Sequence, residues 1–237
     1  MEFGQLEILP QPDDASCGPT CLHAVYSWYG DHVPLKRTIR EVVPLETGGT
    51  LAVLLACHAL RRGYTAQIYT YNLTLFDPTW WSTPDTDLSA KLTEQSSCKK
   101  SKRLRRATLA YQEYLELGGE LLFEDLNRRL LRRHLLQGRP LLVGLSATYL
   151  YRCAREYGRN ELTYDDVRGQ SMGHFVVLYG YDKATNHVWV ADPYHTNPAF
   201  QSAHYAVHVD RVIGAILLGV LTYDANLLLI TPEDPAS

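Results

Sequence analysis

Cys17 stands where a loop gives way to a helical pattern, and Gly18, Pro19 and Thr20 follow it. Proline suits a first helical turn, because its missing N–H has no partner there anyway. Glycine allows another backbone or a substrate to approach closely. The unpaired N–H groups and the positive end of the helix dipole stabilise a thiolate, the reactive form of cysteine. Such a nucleophile needs a base, and the base needs a third group to orient it. Of the nine histidines, His174 follows Gly173 and opens the apolar run Phe175 to Tyr181, so it is accessible yet held by a strand. The next strand-like run, His187 to Ala191, leads into Asp192-Pro193-Tyr194. If the intervening turn pairs Tyr181 with His187, then His174 lies opposite Tyr194 and diagonal to Asp192 on one sheet face. Diagonal neighbours about 7–8 Å apart are within reach of His and Asp side chains. A bulge in the hairpin would swap the face and break that argument. Six residues before Cys17 is Gln11, an amide able to donate a hydrogen bond to an oxyanion.

Each of these residues alone has an ordinary structural reading, such as a buried cysteine or a core histidine; the joint set points to nucleophilic chemistry. Cys21, one turn after Cys17, and Cys57, inside an apolar helical run, read as packing, while Cys98 lies in a basic, exposed stretch. Five cysteines with no CxxC argue against a disulfide scaffold or a four-thiolate zinc site, and for a reducing compartment. His187, His195, His204 and His208 are the remaining metal candidates. His204 and His208 would share a face on a helix, but the segment reads as extended and no HExxH occurs. No metal and no cofactor is expected.

The elements that must position these residues follow from periodicity. Residues 5–10 read as a short strand and 12–14 as a turn. Helical spacing runs from Cys17 to Tyr29, with Gly30 as the stop, and from Thr50 to Arg62 after Gly48-Gly49. Tyr64 to Tyr71 alternates as a strand. Residues 72–90 read as a loop anchored by Trp80-Trp81, and 91–118 and 120–137 as two helices parted at Gly118-Gly119. Pro140 to Ala147 is a continuous apolar strand, a last apolar helix follows Asp210, and Leu227 to Ile230 is a closing strand. Helices first and strands later suggest an α+β protein with two lobes in one cooperative unit.

The chain has 237 residues, enough for a substantial core in one large domain, and its 46% hydrophobic and 21% charged residues are globular values. The N-terminus lacks a basic start and an apolar run, and Val212 to Leu221 is half the length of a membrane span, so it reads as a buried helix or strand. A cytoplasmic protein without membrane association is expected. The net charge of −3 conceals a split. Residues 91–140 carry twelve Lys or Arg against six Asp or Glu, a local +6, so the remainder carries −9. Six of the eight residues 99–106 are basic. A solvated helix face explains such a run, and a collar for acidic peptides is the sharper reading. Aromatic-basic interleaving is missing, so nucleic acid is not expected as a partner.

The segments Gln11 to Leu22, Gly173 to Asp182 and Ala191 to Tyr194 together resemble the papain-like cysteine peptidases. The likeness is greatest to the bacterial double-glycine leader peptidases that trim bacteriocin precursors, and to their stand-alone relatives. Thr47 to Tyr71 and Leu130 to Ser146 look like that family's second helix and central strand. The resemblance implies an α+β, papain-like two-lobe fold, with Cys17 at the start of a central helix packed against an antiparallel sheet. It also implies that Cys17 is the nucleophile, His174 the base and acid, Asp192 the orienting acid and Gln11 an oxyanion donor. The glycines flanking the dyad, Gly18 and Gly173, become candidates for substrate contact. Two features depart from the family pattern: Ser16 stands where an acidic residue commonly precedes the cysteine, and residues of about 72–120 form a basic helical insertion within a single domain spanning 1–237. The expected activity is hydrolysis of a peptide or isopeptide bond, on a peptide or protein substrate of possible acidic character. Acyl or peptidyl transfer to an amine with the same triad is one alternative, and a non-catalytic peptide-binding module is another.

Overall fold

A computed structural model describes residues 4–42, 49–158, 163–222 and 224–233. In chain order the elements are α1 (Cys17–Trp28), α2 (Leu35–Glu41), α3 (Ala52–Arg61), β1 (Tyr64–Thr70), α4 (Leu88–Cys98), α5 (Lys102–Glu116), β2 (Glu120–Leu122), α6 (Arg128–Leu135), β3 (Leu141–Ser146), α7 (Ala147–Tyr151), β4 (Glu156–Tyr157), β5 (Thr163–Tyr164), β6 (Gly173–Asp182), β7 (His187–Ala191), β8 (His204–His208), α8 (Val209–Leu218) and β9 (Asn226–Pro232). Short 3₁₀ turns occupy Pro78–Trp81 and Gly219–Thr222.

Seven strands form one sheet in the order β2-β1-β9-β3-β6-β7-β8, antiparallel throughout except for the β1–β2 pair. Both faces of this sheet are covered, which is why β3 is buried at all six positions and reads as an unbroken apolar run. Phe175 and Val177 of β6 enter the core shared with α1, α3 and α5, whereas Val176 and Leu178 enter the core under α6, α7 and α8. The α+β, papain-like expectation holds, with α1 laid on β6 and its first residue, Cys17, buried at the strand's mouth.

Several boundaries differ from the sequence reading. Residues 5–10 are irregular rather than a strand. The helix expected over 91–118 is two: Lys99 turns extended, and the Ser101 side chain accepts from the Leu104 N–H to start α5 afresh. The helix expected from 120 begins instead as β2, and the Asn127 side chain accepts from the Leu130 N–H to open α6. Capping side chains here redirect the chain without glycine or proline, so apolar periodicity alone runs across the breaks. The short helix α2 has no counterpart in the sequence reading, and Gly48 lies outside the described residues. Trp81 does anchor its loop: it stacks on Phe123 at 5.2 Å and its indole N–H donates to the Leu121 carbonyl at 3.4 Å. The apolar stretch 212–221 is helical but only partly buried, since Leu217, Leu218 and Leu221 are exposed.

The hairpin that carries the histidine closes one residue later than expected, with Asp182 rather than Tyr181 opposite His187. A bulge at Tyr179 then restores the register, because Gly180 pairs with Trp189 but Leu178 pairs with Val190. The two one-residue displacements cancel. Tyr179 and Tyr181 accordingly point to opposite cores although they are two apart in the strand.

Candidate active site

α1 begins at Cys17 with no side-chain cap, because the Ser16 hydroxyl turns away to donate to Asp13 Oδ1 at 2.6 Å. The first turn thus presents its backbone N–H groups beside the thiol rather than to a capping side chain. Four residues on, the Cys21 thiol donates to the Phe175 carbonyl at 3.2 Å. Burial pushes that thiol well above the ordinary cysteine range, so it remains protonated. Cys21 and the likewise buried Cys57 are packing residues, and Cys98 is exposed, as their positions in the sequence imply.

His174 Nε2 lies 2.9 Å from Asp192 Oδ1, and both side chains are buried. With Nε2 committed to the carboxylate, the other ring nitrogen is left for Cys17, which is near enough to favour the protonated imidazole. Burial alone would push the imidazole down. The Asp192 charge and hydrogen bond, with the contact to Cys17, outweigh burial and raise it to about 10. Asp192 is itself fully buried, and burial opposes its charge. His174 and the tyrosine hydroxyls hold it below the usual carboxylate range despite that.

The carboxylate has four donors. Oδ1 takes His174 and the Tyr194 N–H at 2.9 Å; Oδ2 takes the hydroxyls of Tyr151 at 2.7 Å and Tyr205 at 2.5 Å. Burial and the neighbouring carboxylate push both tyrosines up, which keeps them as donors. Nothing in the sequence singles out these two among sixteen tyrosines. They reach Asp192 from α7 and β8, and only the sheet order brings those elements to the end of β7.

Gln11 is tied to the same neighbourhood by its backbone N–H, which donates to the Pro193 carbonyl at 3.0 Å. Its side-chain amide donates once to the Asp13 carbonyl at 3.0 Å and keeps a second N–H. The two glycines are filled from within the chain. A Cβ on Gly18 would lie 2.5 Å from the Thr50 methyl, and one on Gly173 would lie 2.6 Å from the Thr222 hydroxyl. Gly18 thus admits Thr50 and the Phe175 ring beside the cysteine, and Gly173 admits the 219–222 turn beside the histidine. Among the described residues no group of three or more His, Cys, Asp or Glu is arranged to hold a metal ion.

A sheet-backed helix that begins at a cysteine and faces a histidine on the adjacent strand is the architecture of the papain-like cysteine peptidases. The sequence profile of the Peptidase_C39-like family matches residues 4–209, and the chain belongs to that family. Among solved structures, a C39-like peptidase from Bacillus anthracis matches 97% of this chain and 96% of its own at 14% identity, with a TM-score of 0.50. The peptidase domain of Streptococcus ComA, a bifunctional ABC transporter of a quorum-sensing pathway, matches 97% of this chain and 100% of its own at 13% identity and a TM-score of 0.47. No curated protein sequence matches the chain. No helix among the described residues is long and apolar enough to cross a membrane.

Proposed function

We propose that the protein is a cysteine peptidase that cleaves a peptide or isopeptide bond with Cys17 as nucleophile, His174 as acid and base, and Asp192 as the orienting carboxylate. The observation that carries this reading is the 2.9 Å bond from the buried His174 to a four-donor Asp192, with Cys17 near enough to favour the imidazolium. The reaction starts when the Cys17 proton passes to His174 and leaves a thiolate. Attack on the amide carbon moves the carbonyl π electrons to oxygen, and the oxyanion is received by the Cys17 N–H and the free Gln11 N–H. His174 passes its proton to the leaving amine, the C–N bond breaks, and a thioester remains. The now neutral His174 takes a proton from water, hydroxide equivalent attacks the thioester, and the thiolate and imidazolium are restored.

The five cysteines are free, which suits a reducing cytosol, where we place the reaction. Residues of about 72–120 are read as a basic addition to the peptidase core. Labelling with a small thiol electrophile at about pH 6, followed by peptide mapping, tests the dyad. Cys17 should react ahead of the exposed Cys98, and His174→Ala should remove the difference. Equal rates for the two cysteines, or an unchanged rate in His174→Ala, would sink the reading.

A further inference from the structure

Three of the twelve exposed large hydrophobic residues among those described fall together: Tyr149 of α7, Leu218 of α8 and Leu221 of the turn that follows. Leu221 is 64% exposed. All three line a cavity of about 280 Å³ that Arg152 and Arg155 also border. Scattered surface leucines need no explanation, but a cluster around a cavity and rimmed by charge does.

The cavity adjoins the catalytic strand by two routes. Ser146, on its wall, is the cross-strand partner of Gly173. Thr222, the residue after Leu221, packs directly on Gly173, whose next neighbour is His174. The cavity therefore lies against the backbone of the strand that carries His174, where a substrate held at Cys17 would pass.

The rim carries one sign of charge. Arg155 is fixed by donating from Nη2 to the Asp166 and Val167 carbonyls, at 2.6 and 3.4 Å, which leaves its other N–H groups to spare. Arg152 is exposed and held at φ 53°, and no side chain among the described residues pairs with it. Arg103 donates to the Thr222 carbonyl at 2.6 Å, and so brings the basic start of α5 to the same edge.

We propose that this cavity is a specificity subsite that takes one apolar side chain of the peptide substrate, with Arg152 and Arg155 receiving a carboxylate next to it. The inference rests on the peptidase reading and names its substrate class. An apolar residue removes the leucine and tyrosine faces from water, and a guanidinium fork matches a carboxylate in charge and geometry. The basic start of α5 extends the same preference along the peptide.

The test uses a pool of N-terminally blocked peptides from a digested proteome. Cleaved products are sequenced with the wild-type protein, and retained peptides with Cys17→Ala. Cleavage sites should share an apolar residue at one fixed distance from the broken bond and an Asp or Glu beside it. Arg152→Glu should lower cleavage and retention of those peptides on the order of tenfold, as loss of a charge-assisted bond implies. Leu221→Gln should flatten the apolar preference, and Arg129→Glu, equal in charge change but placed on α6, should do neither. Cleavage whose preferences survive Arg152→Glu and Leu221→Gln overturns the subsite and leaves the peptidase reading intact. No cleavage, with acidic-apolar peptides still retained by Cys17→Ala and released by Arg152→Glu, supports the subsite and overturns the peptidase reading. Neither cleavage nor retention overturns both.

Discussion

Replacing Asp192 by asparagine keeps the shape of the side chain and removes its charge, and the consequence for Cys17 can be worked from the site. His174 is held protonated up to about 10, against 6.5 for an ordinary histidine, although burial pushes the other way. Without the Asp192 carboxylate, burial is opposed only by the thiol, and the imidazole should be neutral at pH 7. The resting pair then becomes a neutral thiol beside a neutral imidazole. An ordinary thiol, with a pKa near 8.5, is ionised to well under about 1% at pH 6. Alkylation of Cys17 by iodoacetamide should therefore be nearly flat between about pH 6 and 9 in the wild type and fall steeply toward acid in Asp192→Asn. The gap should be on the order of 10²-fold at about pH 6 and close by about pH 9. Far-ultraviolet circular dichroism at both pH values shows that the variant is folded. An unchanged Cys17 rate at about pH 6 would refute the argument, because something other than Asp192 would then hold the charge on His174.

The same raised imidazole links stability to pH. Its contribution is complete below the ordinary 6.5 and is lost as pH rises through about 10. Wild-type unfolding free energy from urea titration should decline across that window, and Asp192→Asn should lack this part of the decline. Tyr151→Phe and Tyr205→Phe each remove a donor to a buried carboxylate, at a cost of about 1.5–3 kcal/mol in urea denaturation. The double variant should cost more than the sum, because Asp192 Oδ2 is then left without a donor; simple additivity would mean that the carboxylate finds another. Gly18→Ala drives a Cβ to 2.5 Å from the Thr50 methyl and should destabilise by about 1–3 kcal/mol. Adding Thr50→Ser, which deletes that methyl, should recover part of the loss in the same denaturation assay, and no recovery would place the clash elsewhere.

The sequence by itself determined the chemistry-bearing positions on short stretches of chain. A cysteine before Gly-Pro at a helix start, and a histidine after glycine at the head of an apolar strand, are legible because helix capping and strand alternation are local. The apolar run of β3 and the helices α1 and α3 were legible for the same reason. Where side-chain caps at Ser101 and Asn127 turn the chain, periodicity misled, since those bonds depend on rotamers that hydropathy does not encode. The pairing of His174 with Asp192 is instructive in another way. Counting residues through the hairpin arrives at the right register, yet the turn closes at Asp182 and the bulge at Tyr179 compensates. Bulges follow from twist and packing on both sheet faces, so no count along one strand reveals them. Tyr151 and Tyr205 come to the site from separate elements, and their roles exist only once the sheet order β3-β6-β7-β8 is set. Local physics picked out the candidate nucleophile and base; the tertiary structure decided how the buried acid is kept charged, because His174, Tyr151 and Tyr205 from three separate elements must join the adjacent Tyr194 N–H on one carboxylate.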